Sequence, residues 1–92
     1  MLPTPVVRLN GAVATAMGRG FEKGLDEIDR LGVSGELDGY HYFHSARADL
    51  LRRIGRATEA ISAYDSALTL VSNELERAFL ERRRTELLEP GI

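Results

Sequence analysis

Two histidines three residues apart, His41 and His44, are the side chains whose type and spacing come nearest to a chemical site. Positions i and i+3 of a helix share a face, so both imidazoles can reach one divalent metal. A site needs further donors, and Asp38 and Asp49 are the candidates; the chain has no cysteine and no third histidine, so the pattern stops at two ligands. The competing reading packs His44 beside Tyr40 and Phe43 at a helix interface and leaves His41 in water. No Gly-x-Ser-x-Gly turn and no phosphate-binding glycine loop is present, and Gly18-Arg19-Gly20 lacks the rest of a nucleotide fingerprint. The expectation is a chain that is not an enzyme, with no catalytic residue, no cofactor and no bound metal.

Arg47, Arg52, Arg53 and Arg56 form a local basic cluster near Tyr40, Tyr42 and Phe43. One reading is a contact patch for acidic groups on a partner. The other is a solvated face whose last arginines sit at a helix C-terminus, where positive charge is mildly favourable. The balance of the whole chain decides against direct nucleic-acid binding: 12 Lys and Arg against 14 Asp and Glu give a net charge of −2, with no excess to neutralise phosphates. Arg82-Arg83-Arg84 is spread around its helix and reads as solvated, pairing with Glu76, Glu81 and Glu86. No apolar run approaches the roughly 18 residues of a membrane span. Met1 to Pro5 lacks the basic and apolar regions of a signal peptide. A cytoplasmic location is expected, and 92 residues allow one small domain, 1–92.

The elements that position these residues are all helical. Thr4-Pro5 reads as a cap and first helical residue, opening a helix over about 5–17. Its Val6, Val7, Leu9, Ala12, Val13, Ala14, Ala16 and Met17 cover nearly every face, whereas a surface helix shows one apolar stripe. That helix is expected to be covered by something outside this chain. After the Gly18–Gly20 break, Phe21, Leu25, Ile28 and Leu31 mark a helix over 21–31, with Glu22, Asp26, Glu27 and Asp29 in water. A loop rich in turn residues follows, 32–39. Phe43, Ala46, Leu50, Leu51 and Ile54 give a third helix over 40–54, and Ala57, Ala60, Ile61, Tyr64, Ala67, Leu68 and Val71 a fourth over 57–71. Asn73 with Glu76 reads as a capping box for a charged fifth helix over 74–88, stopped by Pro90-Gly91.

Ala12, Gly24, Ile28 and Leu31 match Ala48, Ala60, Tyr64 and Ala67 at a constant offset of 36. This is close to the roughly 34-residue period of tetratricopeptide repeats. Small residues allow two antiparallel helices to approach, and Gly55 suits the left-handed residue at their turn. The expected fold is all-α: a tetratricopeptide-like right-handed stack of about five helices, two degenerate repeats plus a C-terminal cap helix.

The segments VVRLNGAVATAM, GYHYFHSARADLLRRIGRATEAISAYDSAL and SNELERAFLERRR, spanning about residues 5–88, resemble the C-terminal tetratricopeptide-like domain of one group of extracytoplasmic-function sigma factors of bacterial RNA polymerase. Two departures from that pattern are Gly11, in place of a long polar residue, and Arg84, which interrupts the Leu80–Leu87 stripe. The resemblance implies a piece of a longer factor, regulatory or required for activity through protein contacts. Its partners would be upstream sigma domains, RNA polymerase or a regulator. The alternative is a stand-alone adaptor that binds a peptide or partner helix, or self-associates as a homodimer through the first helix.

In such folds the first helix of each pair lines the concave face. Tyr42, Ser45, Asp49 and Arg52 share that face, joined by Leu9, Val13 and Met17 from the first repeat. This mixed groove suits an extended peptide or a partner helix. Equally, Leu9, Val13 and Met17 would pack on an upstream domain.

Overall fold

The computed structural model describes residues 4–89. Its described residues form five helices and no strand: α1 (Pro5–Arg19), α2 (Phe21–Gly32), α3 (His41–Arg53), α4 (Ala57–Leu70) and α5 (Glu74–Leu88). The all-α fold is the one expected. Pro90 and Gly91, read as the stop of the last helix, lie outside the described residues.

The local signals operate as the chemistry requires. Thr4 Oγ1 accepts from the Val7 N–H at 3.2 Å, with Pro5 at the first helical position. α1 runs two residues beyond its expected end, through Gly18 and Arg19, because Gly20 alone makes the break. Its φ of 115° and ψ of 147° are open only to glycine, and one residue then joins two helices. Gly55 adopts φ 85° at the end of α3. There the Arg56 N–H donates to the Leu51 carbonyl at 2.9 Å and the Gly55 N–H to the Arg52 carbonyl at 3.1 Å. This is the paired bonding that closes a helix on a left-handed glycine. The capping box of α5 is half formed. Asn73 Oδ1 accepts from the Glu76 N–H at 3.0 Å, while the Glu76 carboxylate pairs with His41 instead.

α1 packs mainly on α2 and α3 on α4; α2 joins the two pairs through α3, and α5 lies against α4. The shared core buries Leu9, Leu25, Ile28, Leu50 and Leu51, each worth roughly 1.5–3 kcal/mol of transfer free energy. The repeat positions Ala12, Ala48, Gly24, Ala60, Ile28, Tyr64 and Ala67 are all buried. Leu31, the odd member, is only half-buried. Leu37, in the segment read as loop, also enters the core, carried on a series of turns between Gly32 and Tyr40.

The two pairs are held by contacts of different closeness. A Cβ added to Gly24 would lie 2.3 Å from Ala16 Cβ, 2.8 Å from Ala16 Cα and 2.9 Å from the Ala12 carbonyl oxygen. Backbone meets backbone there, and no side chain fits. α1 meets this core with one face only. Leu9, Ala12 and Ala16 are buried, whereas Val6, Val7 and Met17 stay 41%, 56% and 61% exposed.

Gly24→Ala is therefore expected to destabilise by roughly 1–3 kcal/mol, despite the better helix propensity of alanine. Gly11→Ala, with nothing within 4 Å of the added methyl, is expected to stabilise by about 0.5–1 kcal/mol. Urea unfolding of the two variants reads both. A neutral Gly24→Ala would contradict the backbone contact.

Candidate functional groove

The three helices α1, α3 and α5 line a groove of about 440 Å³. α1 supplies Val13 and Met17. α3 supplies Tyr42, Ser45, Ala46, Asp49, Leu50, Arg52 and Arg53. α5 supplies Glu76, Phe79, Leu80 and Arg83, and Tyr64 reaches the groove from α4. Six of the seven residues proposed from sequence thus meet here: Val13, Met17, Tyr42, Ser45, Asp49 and Arg52. Leu9 does not. It is fully buried in the core, because its place on α1 beside Ala12 and Ala16 points it at the helix pair rather than the groove.

The α5 wall was missed by sequence reasoning, which took that helix for a solvated cap. A signal was there. At an offset of 34, Glu76, Phe79, Leu80 and Arg83 fall on Tyr42, Ser45, Ala46 and Asp49, and all eight line the groove. α5 therefore occupies the place of the first helix of a third repeat. Phe79 is 55% exposed at the rim, and Leu80 is buried beneath it.

The polar floor is built from linked pairs. Asp49 accepts from Arg52 at 2.7 Å and from Arg53 at 2.9 Å, so one carboxylate serves two guanidiniums. Arg52 Nε is buried and has no hydrogen-bond partner. Burial works against the Arg52 charge, but its bonds to Asp49 and the nearby Tyr64 hydroxyl outweigh that and hold its pKa above the ordinary value. Arg53 also lies over the Phe21 ring, 5.2 Å from its centroid, and Arg83 over the Phe79 ring at 5.4 Å. The Ser45 hydroxyl donates to the Tyr42 carbonyl at 3.2 Å.

The other arginines of the basic cluster turn elsewhere. Arg47 bonds Asp29 of α2 at 2.7 Å, and Arg56 bonds Glu59 at 2.6 Å. Arg84, read as an interruption of an apolar stripe, instead pairs with Asp65 of α4 and ties α5 to its neighbour. The two histidines take separate partners. His41 Nε2 lies 3.0 Å from Glu76 Oε1, and His44 Nε2 lies 2.8 Å from the Asp38 carbonyl oxygen, its ring edge-on to Phe43. Among the described residues, no three His, Asp or Glu side chains gather in a group able to hold a metal ion. Nor is any described helix long and apolar enough to cross a membrane.

Over 85 residues, 92% of its length, the chain is 41% identical to an uncharacterized protein of Rhizobium meliloti (strain 1021) and spans 20% of that protein. Over 73 residues, 74% of its length, it is 37% identical to a bifunctional protein GlmU of Agrobacterium fabrum (strain C58), spanning 16% of it. The chain thus covers a fifth or less of the curated relatives it matches. No family model matches the chain, and no solved structure does.

Burial holds the Tyr64 hydroxyl above the usual phenol value, partly offset by Arg52. A raised folded pKa gives stability that is complete below the unfolded pKa of about 10 and lost as pH rises through the folded value. Urea unfolding is expected to show stability falling above about pH 10, and less steeply in Tyr64→Phe. Equal alkaline loss in both proteins would contradict burial of this hydroxyl.

Proposed function

We propose that this chain is a non-catalytic protein-interaction domain, of the kind found C-terminal in extracytoplasmic-function sigma factors, acting in bacterial transcription initiation. The observation that carries the reading is the α1–α3–α5 groove, in which exposed Met17 and Phe79 share one cavity with Tyr42, Asp49 and Arg52. Exposed apolar side chains gathered on a concave surface favour a protein contact. The polar groups in the groove are engaged structurally rather than poised for reaction. Asp49 is held by two arginines, Glu76 by His41, and the Ser45 hydroxyl by a backbone carbonyl. The resemblance of residues 5–88 to the sigma-factor domain supplies the process. The Rhizobium relative, about five times as long as the stretch it shares, carries a like sequence as one part of a larger protein. The partners on this reading are the factor's own upstream domains, RNA polymerase or a regulator, met in the cytoplasm.

Replacing the matching segment of the Rhizobium protein with this chain gives a direct test. With core polymerase and Rhizobium genomic DNA, the hybrid is expected to yield promoter-dependent transcripts. Phe79→Glu in the hybrid is expected to lower them about tenfold, the effect of losing about 1.4 kcal/mol at the contact. Absence of promoter-dependent transcription from both the Rhizobium protein and the hybrid would overturn the reading.

The exposure of Val6 and Val7 on α1, outside the groove, favours a second reading: an adaptor that self-associates through this helix. Light scattering over a concentration series would then give a dimer, returned to monomer by Val7→Glu. A monomer at every concentration would remove this reading.

A further inference from the structure

We infer that the partner seated in the groove is an amphipathic helix carrying carboxylates beside large apolar side chains. This rests on the groove being the contact surface and names what fills it. Charge gives the first argument. The lining holds Arg52, Arg53 and Arg83 against Asp49 and Glu76. Three guanidiniums thus face two carboxylates across the lining, with Glu86 beside Arg83 at 3.3 Å just outside it, in a chain whose net charge is −2. The groove lining is therefore less acidic than the molecule around it. Arg52 sharpens the point, since its buried Nε–H has no acceptor. That unpaired donor is costly where it lies; the rest of the guanidinium, on a side chain 23% exposed, can take a partner's carboxylate.

The walls give the apolar half. Met17 on α1 and Phe79 on α5 are both more than half exposed and line the same cavity, with Val13 and Tyr42 between the two rims. Large aliphatic or aromatic side chains of a partner would fill that space.

Backbone chemistry selects a helix over a strand. Every lining residue lies within α1, α3, α4 or α5, where main-chain N–H and C=O groups bond along the helix. The groove therefore has no free edge for an extended peptide to pair with. A strand would carry unpaired amides into an apolar groove, whereas a helix satisfies its own.

The test uses two synthetic helices of roughly 16 residues, stapled because isolated helices of that length are marginal. Both carry Leu and Phe on one face; one has Glu flanking that face and the other Lys. Affinity is read by fluorescence anisotropy with the 92-residue chain, and location by the Met17 methyl NMR signal. The Glu helix is expected to bind about tenfold more tightly than the Lys helix, a margin that shrinks with salt. Arg52→Gln and Arg83→Gln are each expected to weaken it severalfold. Asp49→Asn, which removes the competing carboxylate, is expected to tighten it. Far-UV circular dichroism checks that each variant is folded. Equal binding of both helices at Met17 would overturn the acidic assignment and leave the groove reading standing. No Met17 shift with either helix would overturn both.

Discussion

The close approach of α2 to α1 at Gly24 is the constraint on which the rest of the arrangement depends. Position 24 has no room for a side chain, because Ala16 and the Ala12 carbonyl occupy the space a Cβ would take. The second pair repeats the device less tightly, with buried Ala60 and Ala48 at the matching positions. Two helices held this close project their larger residues away from the seam. On the inner side Leu25, Ile28, Leu50 and Tyr64 fuse the pairs into one core. The first helix of each pair, joined by α5, is left to line a surface that is concave and only partly apolar. The groove follows from the way small residues stack helix pairs.

Charge is distributed to the same effect. Arg47 with Asp29 ties α2 to α3, and Arg84 with Asp65 ties α4 to α5. Half-exposed pairs of this kind contribute little stability individually, commonly under about 1 kcal/mol. What they do is fix how neighbouring helices lie and withdraw arginines from solution. Arg52 and Arg53, which share the single carboxylate of Asp49, and Arg83, beside Glu86, are the ones facing the groove.

Much of this was legible in the residues, because helix formation here is governed by local signals. Thr4-Pro5, Gly55 and Asn73 each predict a boundary that the backbone then makes with its hydrogen bonds. The repeat offset predicts which small residues are buried. The groove was legible along α3, where spacing alone puts Tyr42, Ser45, Asp49 and Arg52 on one face. Leu9 was misplaced because a helix with apolar residues on nearly every side does not declare which face meets the core. The contribution of α5 was hidden by its composition. Eight charged side chains masked Phe79 and Leu80, and the 34-residue offset that reveals their role differs by two from the 36 relating the first repeats. Leu37 was missed since a buried anchor inside a turn-rich segment carries no periodicity.

The claim that matters most is that contacts are made through the inner layer of α1, α3 and α5 and not through the outer layer of α2 and α4. A photoreactive residue placed in turn at Met17, Phe79, Asp26 and Ser62 decides it. The first two line the groove, and the last two are exposed on α2 and α4. With the chain set into the Rhizobium protein and incubated with core polymerase, the account predicts crosslinks from 17 and 79 to a neighbouring polypeptide or to the rest of the same chain. It predicts none from 26 and 62. Crosslinks confined to 26 and 62 would contradict it.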